Sequence, residues 1–424
     1  MCCVVMDWEE LCCLCVSQAS LMLLVLECLF NVLQEAINSK QEAQQPKKSQ
    51  KSNNTKSYTK SLELSYMIGR RRSTIVVIYF LFLLAHCIQA IRLRSILDKR
   101  WLLHSKNMGA KPSKEYDDNL YTKPVAGVSF TEQIIDIRGE RRNVVKWLPT
   151  GQTPKGLVLI SHGLYEHSLR YAGLAHALTA KGYAVMAIDH MAHGFSGGTK
   201  GLITDFHILE NDFVTFSQIA RAEYPAVPCY LFSHSMGTLV ASLALKQIQT
   251  NMKAVVFSGC PLFAGYAAAS PFGIRALYPL TQTSFALTLT WALSNVDPKG
   301  TAAPILLEEL TSDEGEKQVI LKDRRRVECD IMNKTAYEVL RMIDEVKSTL
   351  PTIKVPFHAI HGAVDMVALS MGSEYLMTHT GTAAHEKSLK VYPRLKHELF
   401  HEDAVSREQA IADVVMYLEQ QHSR

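Results

Sequence analysis

The stretch LFSHSMGTLVASLAL, residues 231–245, joins two segments of different character through a serine. The apolar run before Ser235 is typical of a buried strand, and residues 238–245 have the composition of a helix. A chain that needed only a turn at such a join would more often use Asn-Gly or Asp-Gly. The pattern Ser-His-Ser-Met-Gly instead predicts a sharp strand-to-helix turn that lifts the Ser235 oxygen above a sheet.

The usual pattern for such a turn is Gly-x-Ser-x-Gly, because the backbones of strand and helix approach each other closely there. Gly237 fits this pattern, whereas Ser233 replaces the first glycine. A serine is small enough to be accommodated if the turn relaxes slightly. Taken alone, the motif leaves open a chance serine in an ordinary turn between a strand and a helix.

The rest of the composition favours a large α/β domain. The chain has 424 residues, of which 47% are hydrophobic and 20% charged, enough for a sizeable core. Its net charge of +4 is too small to indicate nucleic-acid binding. Short apolar runs alternate with helical patterns, which predicts a mainly parallel sheet with helices on both faces. The runs are NVVKWL, GLVLISHG, YAVMAIDH, CYLFSHS, AVVFSGC, FHAIHG and SLKVYP.

We assign this domain to residues 116–424. Residues 262–345 interrupt the alternation, because they are rich in Ala, Leu, Pro and Thr and supply no clean strand. An insertion between two strands is the simplest interpretation of this segment.

The region before the domain divides into three segments. Residues 1–34 are apolar and contain six cysteines without histidine partners, which disfavours a zinc site and favours S-palmitoylation. Residues 35–72 are polar and predict a flexible linker. Residues 73–91 contain no Asp, Glu, Lys or Arg over 19 positions, and a helix of that length spans roughly 30 Å. They predict a single transmembrane helix, of undecided orientation because basic residues flank it on both sides.

Candidate partners for Ser235 follow two later predicted strands. Asp365 lies in the loop after FHAIHG, and His397 lies just after SLKVYP. Serine, acid and histidine in that chain order are typical of nucleophilic catalysis on a parallel sheet. His401 is the competing base, and we prefer His397 because it is nearer the end of its strand.

An oxyanion hole would need two backbone N–H groups near Ser235. Met236 supplies one, since it follows the serine directly. Leu164 supplies the other, in the loop that Gly163 begins. Glu166 and Arg170 follow in the same loop, where they either meet a polar head group or form a structural ion pair.

Five blocks in this order resemble the monoglyceride lipase and lysophospholipase branch of the α/β-hydrolases. They are SHGLYEHSLRY, AIDHMAHGFSGGTKG, SHSMGT, HGAVDMV and HELFHE. The resemblance implies an α/β-hydrolase fold, with residues 262–345 as a cap over an acyl pocket. It implies the triad Ser235, Asp365 and His397, with Leu164 and Met236 as the oxyanion hole.

The resulting hypothesis is a membrane-anchored serine hydrolase that cleaves the ester of a monoacyl lipid and needs no metal or organic cofactor. A lysophospholipase or an acyltransferase on the same fold is an alternative, the latter suggested by the His207–Asp212 spacing. A non-catalytic binding or scaffold protein is another, because Ala192, Ser233 and Thr238 replace glycines usual in the family. The sequence also carries a glycosylation sequon at Asn333.

Overall fold

An eight-stranded sheet forms the centre of the domain. The computed structural model describes residues 116–117, 119–265 and 284–424, which fall in the unit Lys114–Arg424. The strands are β1 Val128–Ile137, β2 Glu140–Pro149, β3 Gly156–Ser161, β4 Tyr183–Ile188, β5 Cys229–His234, β6 Met252–Ser258, β7 Thr301–Ala303, β8 Ile331–Met332, β9 Phe357–Gly362 and β10 Lys387–Tyr392. The helices are α1 Ala172–Ala180, α2 Phe206–Glu223, α3 Met236–Ile248, α4 Ser284–Val296, α5 Leu307–Leu310, α6 Glu314–Lys322, α7 Asn333–Thr349, α8 Met371–His379 and α9 Ala404–Ser423.

The strand order in the sheet is β1-β2-β4-β3-β5-β6-β9-β10, and every pair from β4 onward is parallel. The β2 strand runs antiparallel to both of its neighbours. It is joined to β1 by Arg138 and Gly139, whose φ angles of 59° and 81° suit a two-residue hairpin turn. The predicted mainly parallel sheet is thereby confirmed.

The strands β3, β4 and β5 are buried at every position, which explains why they are continuous apolar runs in the sequence. Alternate side chains enter two separate cores. Leu157 and Leu159 pack in the core that includes α2 and α3. Val158 and Ile160 pack in the core that includes α1 and α9. Helices therefore cover both faces of the sheet, as predicted.

The segment between β6 and β9 contains more regular structure than the sequence indicated. We expected no clean strand there, but β7 and β8 pair antiparallel. These strands are only two or three residues long, too short to leave a periodic pattern. Helix α7 continues past residue 345, and its Met342 and Val346 are fully buried in the core with α2 and α3.

Asn333, at the start of α7, is buried and donates a hydrogen bond from its side chain to the Asp297 carbonyl at 2.9 Å. The sequon is therefore not accessible in the folded domain. The predicted segments 1–34, 35–72 and 73–91 lie outside the described residues. Among the residues that are described, none of the helices combines the length and apolarity that a bilayer crossing requires.

Candidate active site

Ser235 occupies a strained turn between β5 and α3. Its φ and ψ angles are 51° and −126°, a conformation that a non-glycine residue rarely adopts. Gly237 permits this turn, because a Cβ atom there would lie 2.2 Å from the Ser161 carbonyl oxygen. Two of the three glycine replacements lie in this turn and are held by hydrogen bonds. Ser233 donates to the Val256 carbonyl at 3.1 Å, and Thr238 donates to the Ser235 carbonyl at 2.7 Å.

The structure brings Ser235, Asp365 and His397 into direct contact. They follow β5, β9 and β10, whose carboxyl ends share one edge of the parallel sheet. His397 Nε2 lies 2.8 Å from Ser235 Oγ, and His397 Nδ1 lies 2.7 Å from Asp365 Oδ2. His397 Nε2 can therefore accept the serine proton while Nδ1 donates to the carboxylate.

The Asp365 carboxylate is held by four donors. Its Oδ1 accepts hydrogen bonds from the backbone N–H groups of Val367 and Ala368, both at 2.8 Å. Its Oδ2 lies 3.2 Å from Nε2 of the fully buried His361, as well as near His397. Burial alone would raise the pKa of Asp365, but His397 and the hydrogen bonds outweigh burial and hold that pKa well below its usual range. Asp365 is therefore ionised in the working range of pH.

His361 is a site residue that was not predicted from the sequence. Its Nε2 faces two acceptors, Asp365 Oδ2 and the Ala368 carbonyl at 2.9 Å, so this nitrogen carries a proton. Its Nδ1 lies 2.7 Å from Ser373 Oγ. The only signal in the sequence was its position four residues before Asp365.

The two candidate bases have different environments. Burial would lower the pKa of His397, but the adjacent Asp365 carboxylate raises that pKa above its usual value. His401 Nε2 instead lies 3.0 Å from the Arg170 carbonyl. Burial lowers the pKa of His401 well below its usual value. The imidazole in contact with Ser235 is thus that of His397.

The loop after β3 places Leu164 beside Ser235. Both line one cavity together with Met236 and His397. Met236 is the first residue of α3, so its N–H is among those that have no partner within the helix. The side chain of Glu166 accepts a hydrogen bond from the Gly163 N–H and another from the Tyr171 hydroxyl at 2.6 Å. Glu166 therefore fixes the loop that carries Leu164.

Arg170 also lines this cavity, but its charge is balanced within the protein. Its Nη1 and Nη2 lie 3.3 and 2.5 Å from the two carboxylate oxygens of Glu398. Its Nε lies 3.8 Å from Glu166 Oε2. These contacts favour the structural ion pair over head-group binding for both Glu166 and Arg170.

The cavity above Ser235 has a volume of about 200 Å³. Most of its wall is apolar and comes from the segment between β6 and β9. The apolar side chains in this part of the wall include those of Ala286, Leu289, Ala303, Ile305, Leu306, Ile320, Val327, Ile331, Val339, Leu340 and Ile343. An acyl chain matches such a wall, because burying its methylene groups is favourable.

His207 and Asp212, whose spacing suggested an acyltransferase, have separate partners and do not form a second site. His207 lies 3.0 Å from Glu210, at the start of α2. Asp212 is paired at 2.6 Å with the buried Arg142. Among the described residues, His207, Glu210 and Glu345 could together present ligand atoms to a metal, but none of them lines the cavity.

Ala192 replaces a glycine in the second block of the resemblance and has a φ angle of 67°. The backbone thus keeps the left-handed conformation that glycine would adopt freely. Its N–H donates to the Gly197 carbonyl at 2.8 Å, and its carbonyl accepts from Gly201 at 2.9 Å. These two bonds hold the turn in spite of the side chain.

The parallel sheet, the strained serine turn and the His397 contacts together define an α/β-hydrolase with a serine at its candidate site. Residues 152–404 match the family described as "Serine aminopeptidase, S33". Human monoglyceride lipase is 30% identical over 256 residues, which cover 60% of this chain and 79% of that protein. A monoacylglycerol lipase from Mycolicibacterium smegmatis is 27% identical over 262 residues, covering 60% and 85%.

Among solved structures, a soluble variant of monoglyceride lipase from Saccharomyces cerevisiae in complex with a substrate analogue shares the fold. Its TM-score is 0.61 at 18% identity, and the match covers 71% of this chain and 98% of that one. The chain belongs to the monoglyceride lipase-like α/β-hydrolases of the S33 family.

Proposed function

We propose that this protein is a serine ester hydrolase that cleaves a monoacyl lipid of the monoacylglycerol type through an acyl-enzyme. The observation that carries the proposal is the position of His397 between Ser235 and Asp365, beside a largely apolar cavity. A scaffold protein would not require this chain of contacts. The names of the curated relatives support the same chemistry.

In the first half of the reaction, His397 Nε2 takes the Ser235 proton as the serine oxygen attacks the ester carbonyl carbon. The backbone N–H groups of Met236 and Leu164 stabilise the oxyanion that develops, and one such donor is typically worth about 3 kcal/mol of barrier. The tetrahedral intermediate then breaks its bond to the alcohol. His397 returns the proton to the departing alcohol oxygen, which leaves the acyl group on Ser235.

In the second half, a water molecule gives a proton to His397 and attacks the acyl carbon. Collapse of this second intermediate breaks the bond to Ser235, which recovers its proton from His397 and releases the fatty acid. Asp365 stays ionised throughout and stabilises the imidazolium form.

The test is hydrolysis of monooleoylglycerol by the purified full-length protein in detergent micelles. Ser235→Ala is expected to abolish release of oleate, whereas Ser348→Ala, an exposed serine of α7, is expected to leave the rate unchanged. A fluorophosphonate probe should label the wild type and Ser348→Ala but not Ser235→Ala. Equal rates in all three proteins would end the proposal.

We further propose that residues 73–91 anchor the protein in a membrane, close to a substrate that partitions into lipid. The sequence supports this through its uncharged run of 19 residues. The full chain should then remain in the membrane pellet after alkaline carbonate extraction. The double substitution Phe82→Arg, Leu83→Arg should release it, since each central arginine disfavours insertion. Release of the wild type into the supernatant would refute the anchor.

A further inference from the structure

Arg326 stands out in the wall of the cavity. It lies between α6 and β8, and 15% of its side chain is exposed. Its Nε atom is buried and has no hydrogen-bond partner within the described part of the chain. Glu328 Oε1 lies 4.0 Å from that Nε, too far for a hydrogen bond, and the Glu328 side chain is 35% exposed. Glu328 therefore balances the positive charge of Arg326 only through a long and partly solvent-exposed ion pair.

The neighbouring arginines have closer carboxylate partners, although the Nε atom of Arg170 also lacks a hydrogen bond within the described residues. Arg170, which shares the cavity wall, has its charge balanced by Glu398 at 2.5 Å. Arg325 is paired with Glu132 at 2.5 Å, and its guanidinium lies 4.0 Å from the centre of the Phe195 ring. Of the two described arginines in the cavity wall, Arg326 therefore has the weaker ion pair and the charge more available to a ligand.

Backbone and side-chain contacts place the segment that carries Arg326 beside the oxyanion loop. The N–H of Val327, the next residue, donates to the Tyr165 carbonyl at 3.1 Å. Tyr165 directly follows Leu164, the candidate oxyanion donor. Asp323, which precedes Arg326 in the chain, contacts the same loop. The Oδ2 atom of Asp323 lies 2.6 Å from Nε2 of His167. A group held by Arg326 would therefore lie on the side of the oxyanion loop.

Physical chemistry indicates what that group would be. A poorly paired charge in a mostly apolar wall is costly, and an anion that replaces the missing partner relieves this cost. Guanidinium binds phosphate oxygens through two parallel hydrogen bonds, and it does so more strongly where water is excluded. An apolar wall with one available cation next to the oxyanion loop suits a lipid with one acyl chain and an anionic head.

We propose that the preferred substrate is a monoacylglycerol whose head group carries a phosphate, with Arg326 as the residue that binds this phosphate. This inference rests on the proposed ester hydrolysis at Ser235. Arg326 would contribute to the binding of the charged substrate and leave the chemistry at the serine to the groups described above.

The experiment compares monooleoylglycerol phosphate with uncharged monooleoylglycerol as substrates of the full-length protein. The wild type should show the higher kcat/KM on the phosphate. Arg326→Met should lower kcat/KM on the phosphate by about 10- to 100-fold and change it less than threefold on the uncharged ester. Arg326→Lys should retain part of the preference, and Arg324→Met, an exposed arginine of the same loop, should retain all of it.

The possible failures are distinguishable. Equal losses on both substrates in Arg326→Met would assign the residue a structural role and overturn the inference. Cleavage of the uncharged ester but not of monooleoylglycerol phosphate would overturn the inference and leave the proposed hydrolase function intact. Fluorophosphonate labelling of Ser235 without cleavage of monooleoylglycerol phosphate would have the same meaning. Absence of both cleavage and labelling would remove the proposed function and this inference together.

Discussion

Replacing Asp365 with asparagine tests how the geometry around His397 determines its tautomer. In the native site, Oδ1 of Asp365 accepts two backbone N–H groups at 2.8 Å, and Oδ2 faces His397 Nδ1 at 2.7 Å. A backbone N–H cannot change its role, whereas an imidazole can move its proton. In Asp365→Asn the amide oxygen should therefore stay with the backbone, and its NH₂ group should face His397.

His397 must then accept at Nδ1 and carry its proton on Nε2, which lies 2.8 Å from Ser235 Oγ. A protonated Nε2 cannot take the serine proton. We expect kcat to fall by about 10⁴-fold, which corresponds to about 5.4 kcal/mol of barrier. KM should change little, since the cavity wall is untouched.

The assay is hydrolysis of a short-chain nitrophenyl ester, with thermal unfolding followed in parallel. Asp403→Asn is the matched control, because Asp403 also accepts two backbone N–H groups, at 3.1 and 3.2 Å, at the start of α9. It should behave like the wild type, since asparagine caps a helix as well as aspartate does. A loss of less than tenfold in a folded Asp365→Asn protein would refute the assignment of the tautomer.

Three further outcomes follow from the structure. The pKa of His397 is raised above 6.5, and its neutral form acts as the base. Therefore kcat/KM should rise with pH through a midpoint above 6.5. A midpoint below 6 would contradict this expectation. Gly237→Ala should lower the free energy of unfolding by about 3 kcal/mol or more in urea titrations, because the new Cβ would lie 2.2 Å from a backbone oxygen. Gly173→Ala is the control and should be tolerated, because the nearest atom to its new Cβ lies 3.6 Å away. Asp212→Asn should lower the free energy of unfolding by about 3 kcal/mol, because it leaves the buried charge of Arg142 unpaired. The double change Arg142→Met, Asp212→Leu should lower it less, and a comparison of urea midpoints would check this.

The sequence was most informative where strands are buried on both faces. The strands β3, β4 and β5 appear as unbroken apolar runs, because every position along them is covered by a helix or a neighbouring strand. The order of these runs also implied that Ser235 and His397 would lie at one edge of the sheet. That convergence follows from parallel strands, whose carboxyl ends must meet.

Other features depend on contacts that no local pattern records. The edge strand β1 was not predicted, since its VSFTEQIIDI sequence mixes polar residues into a half-exposed ladder. The contact between His361 and Asp365 arises because the loop after β9 folds back on the end of its own strand. The tolerance of Ser233 depends on a carbonyl in the neighbouring strand β6. Each of these three features depends on tertiary contacts and could not be predicted from the sequence alone.

Helix α7 limits how this protein can diverge. Leu340 and Ile343 line the cavity, and Ile343 also belongs to the buried core that contains Met342 and Val346 of the same helix. A mutation that reshapes the binding surface through α7 therefore also alters the packing on which folding depends. Ala302 and Leu306 line the cavity from outside the helices and are not members of that core. New substrate preferences can accumulate there at lower risk to the fold, so laboratory evolution should begin at these positions.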